Sequence, residues 1–316
     1  MRVLIIGGAG HLGINICKRF LQENAIVRVF DIDNSLNRKR TENLGTNAEV
    51  FWGDITQPDL AREAMDNVDA IVHMAAILPP SSEQNPELAN RVNVGGTRTI
   101  VNTIKERGDS IPFVFTSSVA VFGPTPDATE PLHPDRNKPN PSSIYGKTKM
   151  QAEDYIRESG IDYLIIRLTS VPYLNLNAND MKSGLLYTIP LNNRLEFCHP
   201  DDVTVAVINA ANNFSEVKGN TLVIAGGPSQ QMRYQDMMHA FFGALGLPLP
   251  PKHKFTDEPF ELDWYDTTDS QELLKFQRKT IDDYSHDLTN QYPTLLVSMM
   301  RYFIGPIFGK VIVRLA

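Results

Sequence analysis

Cysteine is almost absent from this chain, since Cys17 and Cys198 are the two that occur among its 316 residues. They lie far apart in the sequence and show none of the paired spacings of a zinc site. The sequence therefore predicts neither a disulfide framework nor a metal centre. A reducing compartment fits this composition, and we expect a cytoplasmic protein.

Positive charge is also scarce. Lys and Arg total 30 against 37 Asp and Glu, which gives a formal net charge of -7 at pH 7. The one dense basic run is NRKR, residues 37–40, which we interpret as a solvated loop. Because nucleic-acid backbones are bound by clustered Lys and Arg, nucleic acid is excluded as the main partner.

Long uninterrupted apolar runs are missing as well. The N-terminal MRVLIIGGAG contains a short apolar run that leads into a glycine loop, so we interpret it as a first strand and not as a signal peptide. The apolar stretch 295–315 is interrupted by Arg301, Pro306 and Lys310, among others, which argues against a membrane-spanning helix. We expect this tail to pack in the ordinary way, with contact to a membrane or an acyl chain as the alternative.

Short apolar segments alternate with helical ones through the first two thirds of the chain. Six of them are mostly apolar with a continuous and not an alternating pattern, which is typical of parallel strands buried on both faces. They are RVLII (2–6), IVRVF (26–30), EVFW (49–52), AIVHM (70–74), PFVFT (112–116) and YLIIR (163–167). Intervening stretches such as 12–24 and 93–108 are long enough for crossover helices, and TLVIAG (221–226) adds a seventh strand after the helical 202–214. This order predicts an α/β fold, a Rossmann-type doubly wound parallel sheet of about seven strands.

A smaller second lobe is expected to complete the chain. The order of elements becomes less regular after residue 226, and residues 243–254 are rich in Pro and Gly, as a connector is. We assign residues 1–170 plus 198–225 to a dinucleotide-binding domain. Residues 171–197 plus 226–316 are assigned to a discontinuous substrate-binding lobe.

A glycine-rich loop directly follows the first predicted strand. Gly7, Gly10 and Gly13 form the pattern G-x-x-G-x-x-G, and His11 and Leu12 open the helix that follows. Glycine at these positions lets the backbone approach a diphosphate, while the helix N-terminus offers N–H groups and the positive end of its dipole. The loop and its position predict a dinucleotide site.

An acidic residue ends the second predicted strand. Asp31 lies eighteen residues beyond Gly13, where a carboxylate can bond the hydroxyls of the adenosine ribose. A 2′-phosphate would meet a like charge there, so NAD is favoured. Arg38 and Arg40 keep NADP open as an alternative, since a basic loop could reach a phosphate.

Further cofactor contacts are predicted at the ends of the third and fourth strands. Asp54, with Ile55 beside it, could accept a hydrogen bond from the adenine amino group, although a turn or a helix N-cap would also explain this aspartate. Ala75 and Ala76 are small enough to let a cofactor lie close to the backbone.

Hydroxyl groups cluster at the end of the fifth predicted strand. Thr116, Ser117 and Ser118 fall at the carboxyl edge of the sheet, where open α/β folds bind their ligands. Twenty-seven residues after Ser118, the stretch SSIYGKTKM places Tyr145 four residues ahead of Lys149. On a helix that begins near residue 143, the two side chains share one face, about 5 to 6 Å apart at Cβ.

Together these motifs resemble the extended short-chain dehydrogenase/reductases, in particular the NAD-dependent epimerase/dehydratase group. The resemblance covers about residues 1–225 and rests on GGAGHLG, the acidic end of strand two, GDIT, HMAA, NVGGT, TSSVAVFG, YGKTK and HPDDV, in that order. It implies that Ser118 is the active-site hydroxyl, that Tyr145 is the acid/base and that Lys149 orients the nicotinamide ribose. Asn93, in NVGGT, is implied to support the cofactor site, with helix packing as the alternative.

The implied roles make chemical sense. A tyrosine with a pKa near 10 is a poor base at neutral pH. A neighbouring ammonium and a positive nicotinamide favour the phenolate, so we expect both to lower the pKa of Tyr145 toward the working range.

The resemblance thins where a substrate would be recognised. RLTSVPYLN (167–175) and PLNNRLEFCHPDDV (190–203) keep part of the patterns of nucleotide-sugar enzymes. We predict hydride and proton transfer at a carbinol carbon of a small molecule, first of all a nucleotide sugar. Arg194 is then a candidate ligand of the substrate diphosphate, or else a loop arginine.

Two alternatives remain open at this point. One is a ketone/alcohol reductase acting on a lipid, a steroid-like molecule or a secondary metabolite. The other, from a different class, is a non-catalytic NAD(H)-binding sensor or scaffold.

The resemblance also implies that His199, Asp201 and Asp202 are structural, at the start of a helix that an aspartate caps. We further expect a homodimer.

Overall fold

The computed structural model describes residues 1–108, 110–174 and 184–292. The predictions for the stretch 295–315, membrane contact included, lie outside these residues. The strands are β1 (Arg2–Ile6), β2 (Ile26–Asp31), β3 (Ala48–Trp52), β4 (Ala70–His73), β5 (Phe113–Ser118), β6 (Leu164–Leu168), β7 (Arg194–Glu196), β8 (Thr221–Ile224) and β9 (Gln231–Arg233).

The helices follow the strands in the alternation that the sequence predicts. They are α1 (His11–Gln22), α2 (Ser35–Thr41), α3 (Pro58–Ala64), α4 (Ser81–Gln84), α5 (Pro86–Ala89), α6 (Thr97–Arg107), α7 (Ile144–Glu158), α8 (Pro200–Asn212), α9 (Phe214–Val217), α10 (Tyr234–Ala244), α11 (Thr268–Leu274) and α12 (Ile281–Gln291). A π-helix spans Asn90–Gly96, directly before α6. Among the described residues, no helix is both long and apolar enough to cross a membrane.

Seven parallel strands form one sheet in the order β3-β2-β1-β4-β5-β6-β8. Successive residues of β1 point to opposite faces of this sheet, so both faces bear a core. Val3 and Ile5 pack with α1 and α8 on one side, whereas Leu4 and Ile6 pack with α6 and α7 on the other. Each such side chain stabilises the fold by about 1.5 to 3 kcal/mol when fully buried. The predicted doubly wound fold is confirmed.

Strand β3 departs from its prediction. The continuous apolar pattern of residues 49–52 predicts burial on both faces, yet Val50 is 36% exposed and its neighbours in the strand are partly exposed. The reason is position, because β3 is the edge of the sheet and, among the residues that the structure describes, pairs with β2 alone. Beside Val50, the Glu49 carboxylate forms ion pairs with Arg28 at 2.8 Å and Arg2 at 3.4 Å.

Helix α7 carries the Tyr-x-x-x-Lys pattern into the interior. Ser143 is its N-cap, and the Ser143 hydroxyl accepts a hydrogen bond from the Gly146 N–H at 2.9 Å. Tyr145, Lys149 and Glu153 then lie on one face, one turn apart. This face reaches β5, and the helix packs against the π-helix.

A second, smaller core belongs to the lobe beyond the sheet. Strands β7 and β9 pair antiparallel, with Arg194 opposite Arg233. Helices α10 and α12 pack beside them around Phe197, Phe241 and Tyr284. The exact domain boundaries proposed from the sequence stay a prediction.

Candidate active site

The glycine loop between β1 and α1 lies tightly against the residues that follow β4. Gly7 has φ +83°, and a Cβ added there would lie 2.6 Å from the Ala75 backbone nitrogen. A Cβ on Gly13 would lie 2.5 Å from the Gly7 carbonyl oxygen. Side chains are therefore excluded at both positions, and the backbone of the loop forms a concave surface, the cradle, that no side chain of these residues fills.

The N-terminus of α1 is suited to an anion. Its N-cap is Gly10, no side chain caps it, and its first turn contains no acidic residue. The positive end of the helix dipole is thus left for a ligand, as a dinucleotide diphosphate requires. His11 and Leu12 are the first two residues of this helix, where the sequence places them.

The Asp31 carboxylate lies against the glycine loop. It accepts hydrogen bonds from the Ala9 N–H at 2.9 Å, the Ile32 N–H at 2.8 Å and the Asn37 amide at 3.2 Å. Burial raises the pKa of Asp31, and the two backbone hydrogen bonds oppose that rise. The carboxylate is therefore oriented by the protein before any ribose arrives.

The two arginines that kept NADP open are in different situations. Arg38 is engaged with Asp33 through two contacts of 2.6 Å. Arg40 lies against the glycine loop, with Nη1 donating to the Ala9 carbonyl at 3.3 Å and Nη2 at 2.6 Å from His11 Nε2. If a 2′-phosphate were bound, Arg40 is therefore the better placed of the two.

Asp54 occupies a turn. Its carboxylate accepts a hydrogen bond from the Thr56 N–H at 2.9 Å, which is the alternative that the sequence left open. Ile55 is buried and lies so close to Gly96 that a Cβ there would be 2.3 Å from its Cδ1. Contacts of Asp54, Ile55, Ala75 and Ala76 with a cofactor stay predictions.

The three predicted reactive groups meet at the end of β5. The Lys149 ammonium donates to the Thr116 carbonyl at 2.7 Å and lies 5.9 Å from the centre of the Tyr145 ring. The Ser118 side chain lowers the pKa of Tyr145 as a hydrogen-bonding group. Of the three hydroxyls at this edge, Ser118 is thus the one that affects the phenol. Ser117 bonds Glu153 instead, at 2.5 Å.

The electrostatics of this group differ from the expectation. Burial raises the pKa of Tyr145 well above its usual value, the charges of Tyr173 and Glu261 act in the same direction, and the Ser118 hydrogen bond opposes them. Burial also lowers the pKa of Lys149 to about 7, against the opposing effect of the Glu153 charge. The lysine therefore brings less positive charge than expected. In the free protein the phenol is neutral.

Tyr173 connects this group to the glycine loop. Its ring stacks on the His11 ring, with centroids 4.6 Å apart and planes at 19°. Tyr173 also acts to raise the pKa of Tyr145. Tyr173 is not predicted from the sequence, because residues 167–175 match the family pattern poorly.

Asn93 lies inside the π-helix, an element frequent at functional sites. Its oxygen accepts from the Ile77 N–H at 2.7 Å, and its amide donates to the Ile77 carbonyl at 3.1 Å and to the Thr148 hydroxyl at 2.9 Å. Both amide hydrogens are thereby used in joining the loop after β4 to α7. These contacts agree with the helix-packing alternative as well as with a supporting role, and the role of Asn93 at the cofactor site stays a prediction.

A buried ionic network that the sequence analysis missed lies beneath Lys149. The Glu153 carboxylate accepts two hydrogen bonds from Arg167, at 3.0 and 2.7 Å, and one from Arg157 at 2.7 Å. Burial would raise the pKa of Glu153, but Arg167, Ser117 and Arg157 together hold it below its usual value. A signal was present in the sequence, since Glu153 stands one helical turn beyond Lys149.

Lys149 makes the stability of the protein depend on pH. Its pKa is about 7 when folded and 10.5 in the reference state, so the unfolded chain binds more protons between these values. Stability should therefore rise with pH through this window as the buried charge is lost. Lys149→Met should remove that rise, which unfolding curves from about pH 6 to about pH 9 would show. Exposed Lys147→Met on the same helix is the control, and a pH-independent difference between Lys149→Met and the wild type would contradict the expectation.

Arg194, the predicted diphosphate ligand, is held within the second lobe. Its Nε lies 2.7 Å from an Asp263 carboxylate oxygen, its Nη1 donates to the Ala128 carbonyl, and its guanidinium lies 4.1 Å from the centre of the Trp264 ring. Its Nε and Nη2 are buried and have no hydrogen-bond partner among the described residues. One ion pair, one hydrogen bond and the Trp264 ring thus hold this guanidinium.

The HPDDV segment holds the two lobes together. The N-cap of α8 is His199, not an aspartate as expected, and its Nδ1 accepts from the Asp201 N–H at 3.1 Å. Asp202 instead accepts from the backbone N–H groups of Arg278 and Lys279, at 3.0 and 3.1 Å. The structural interpretation therefore fits, with the capping residue corrected.

Comparison with known proteins gives a consistent result. Residues 3–225 match the model of the NAD dependent epimerase/dehydratase family. The chain is 31% identical over 204 residues to D-erythronate dehydrogenase from Cupriavidus necator, which covers 59% of this chain and 61% of that protein. It is 28% identical over 244 residues to the decarboxylating sterol-4-alpha-carboxylate 3-dehydrogenase of Saccharomyces cerevisiae, covering 70% and 68% respectively.

Solved structures share the fold at low sequence identity. UDP-glucuronic acid 4-epimerase from Bacillus cereus superimposes with a TM-score of 0.75 at 18% identity, covering 95% of this chain and 100% of that one. UDP-glucose 4-epimerase from Thermotoga maritima gives 0.77 at 19% identity, covering 93% and 100%. Several curated relatives are matched over 53 to 61% of their own length.

Proposed function

This chain belongs to the NAD dependent epimerase/dehydratase family, and from that premise we propose that it is an NAD-dependent enzyme that transfers a hydride at a carbinol carbon. The grouping of Ser118, Tyr145 and Lys149 at the end of β5 carries the proposal. Tyr173 supports it, because its ring stacks on His11 of the glycine loop and it also raises the pKa of Tyr145.

The residues present fit a dinucleotide. The cradle of Gly7, Gly10 and Gly13 and the uncapped N-terminus of α1 would hold the diphosphate. Asp31 would hold the adenosine ribose, and Lys149 the nicotinamide ribose. When bound, NAD supplies the hydride acceptor and a positively charged ring.

The protein itself supplies proton transfer and orientation. Ser118 holds the substrate oxygen, and Tyr145 exchanges a proton with it. Because burial keeps the phenol neutral in the free protein, Tyr145 is ready to donate a proton to a carbonyl oxygen. In the direction of alcohol oxidation it must ionise, which a positive charge bound nearby favours.

Asp31 should set the preference between the two cofactors. We expect tighter binding of NAD than of NADP, and Asp31→Ala should narrow this difference in affinity by about 10- to 150-fold, since a hydrogen bond to a charged group contributes about 1.5 to 3 kcal/mol. Fluorescence titration with both cofactors measures this. Arg40→Gln and Arg38→Gln form the matched pair. Tighter binding of NADP than of NAD by the wild type would contradict the expectation. If Arg40→Gln then abolishes this preference and Arg38→Gln keeps it, Arg40 is the residue that binds the 2′-phosphate.

For the substrate, we propose a nucleotide sugar as the first candidate. The solved structures with this fold include epimerases of UDP-glucuronic acid and UDP-glucose, which supports the candidate by similarity. One observation favours a second candidate, an alcohol or ketone without a diphosphate. Arg194 is engaged by Asp263 and Trp264, so a diphosphate would have to displace a carboxylate at 2.7 Å. D-erythronate and sterol dehydrogenases are among the curated relatives.

A ligand panel tests the proposal. Nucleotide sugars, polyhydroxy acids and polycyclic ketones are each added with NAD or NADH, and both the melting temperature and the absorbance of the reduced cofactor are followed. A bound ligand stabilises the folded state by mass action. If UDP raises the melting temperature of the wild type and of Arg233→Gln but not of Arg194→Gln, the nucleotide sugar is the substrate class. If only polyhydroxy acids or polycyclic ketones raise the melting temperature or change the absorbance, the substrate is an alcohol or ketone without a diphosphate. If all three groups give no change, a non-catalytic NAD(H) sensor or scaffold becomes the better hypothesis.

A further inference from the structure

The first turn of α7, which carries Tyr145, receives two carboxylates from other parts of the fold. Glu83 of α4 accepts hydrogen bonds from the Ile144 N–H at 3.0 Å and the Tyr145 N–H at 2.9 Å. Glu261 accepts four more from the two residues before the helix. They come from the N–H and hydroxyl of Ser142, at 3.2 and 2.8 Å, and of Ser143, at 2.8 and 2.7 Å.

These contacts are stronger than ordinary helix caps. Each joins a backbone or hydroxyl donor to an ionised carboxylate, and such charge-assisted bonds are about twice as strong as neutral ones. A carboxylate at a helix N-terminus also gains from the helix dipole. Glu261 therefore holds the start of α7 with one side chain that is 118 residues away from Ser143 in the sequence.

Glu261 is itself fixed to the second lobe. The Asn193 side chain, next to β7, accepts from the Phe260 N–H at 3.2 Å and donates to the Leu262 carbonyl at 2.9 Å. The residues on both sides of Glu261 are thus tied to the β7–β9 ribbon. Glu261 thus links this lobe to the N-terminus of α7, the helix that contains Tyr145.

The same carboxylate affects the Tyr145 phenol electrostatically. The groups around the phenol are Lys149 on its own helix, Ser118 on β5, Tyr173 after β6 and Glu261 in the second lobe, with Glu83 bonded to its backbone. The negative charge of Glu261 disfavours the phenolate and raises the pKa of Tyr145. Its removal should therefore lower that pKa.

We propose that Glu261 is a positioning residue that docks the second lobe on the first turn of α7 and so sets the placement of Tyr145 against the substrate. The inference rests on the proposed function, since it assigns the proton transfer to Tyr145. Glu261 does not touch the cofactor in this scheme, so cofactor affinity should not depend on it.

The test compares Glu261→Gln with Glu258→Gln, the same change at an exposed glutamate three residues earlier. For Glu261→Gln we expect kcat to fall about 10-fold or more, because the contacts with Ser142 and Ser143 lose their charge, while NAD affinity is unchanged. The midpoint of the pH profile for alcohol oxidation should move to lower pH. Glu261→Asp keeps the charge and should restore the midpoint. Glu258→Gln should match the wild type.

Two results would overturn the proposal. One is a wild-type kcat and pH midpoint in Glu261→Gln. The other is a lower melting temperature with an unchanged midpoint, which indicates a purely structural role. If the wild type converts no substrate, the proposed function fails, and amide hydrogen exchange of residues 142–146 then decides. Faster exchange in Glu261→Gln than in Glu258→Gln supports the docking contact, and equal exchange overturns it.

Discussion

Tyr145→Phe is expected to reduce turnover by about 10²- to 10⁴-fold, the usual contribution of a general acid or base. The substitution removes the phenol hydroxyl, whose pKa the Ser118 side chain lowers, and leaves the ring in place. NAD affinity should stay within a few-fold, because the glycine loop and Asp31 are unaffected. Turnover is followed through the absorbance of the reduced cofactor and binding by fluorescence, with the substrate that the ligand panel selects.

The matched control lies ten residues further along the same helix. Tyr155→Phe also removes one hydroxyl, which bonds the Asn102 side chain at 2.6 Å. It should keep wild-type turnover. Equal activity of Tyr145→Phe and Tyr155→Phe would show that the proton is carried by another group, and the assignment of Tyr145 would be wrong.

Glu153→Gln is expected to cost about 3 to 5 kcal/mol of folding stability, as breaking a buried ion pair does. The carboxylate is completely buried and is shared by Arg167 and Arg157. Glutamine keeps the shape but turns an N–H₂ group toward arginine donors, and the buried Arg167 charge loses its counter-charge. The melting temperature should fall by about 6 to 20 °C, at about 2 to 4 °C for each kcal/mol.

Exposed Glu158→Gln, at the end of the same helix, provides the comparison and should change the melting temperature little. Acid should reduce the difference between wild type and Glu153→Gln. The folded-state pKa of Glu153 is lowered, so its contribution is present above the ordinary glutamate range and is lost as pH falls through the folded value. A difference that grows on acidification would contradict this account.

Much of the fold could be predicted because its signals are local. Runs such as residues 3–6 and 163–166 are apolar without interruption, which is typical of strands covered on both faces. The edge position of β3 could not be predicted, because strand order depends on contacts between distant segments. Strands β7 and β9 have three residues each, too few to show a periodicity.

Some features of the candidate site could be predicted from the sequence and others could not. One helical turn separates Tyr145 from Lys149, so their shared face follows from spacing alone. The raised pKa of Tyr145 follows from burial, which spacing does not reveal. Glu261 reaches α7 from a segment with no motif of its own, so its contact with Ser143 appears in the folded chain and not in the sequence.

The exposed edge at β3 has a consequence for how copies of this chain meet one another. An edge strand offers unpaired N–H and C=O groups to any other extended segment, which is a route to aggregation. Here the residue beside exposed Val50 is Glu49, held by Arg28 and Arg2. A second strand approaching this edge would have to desolvate those fixed charges. The ion pairs of Glu49 thereby oppose edge-to-edge pairing of β3 strands from different chains, both at high protein concentration and directly after synthesis.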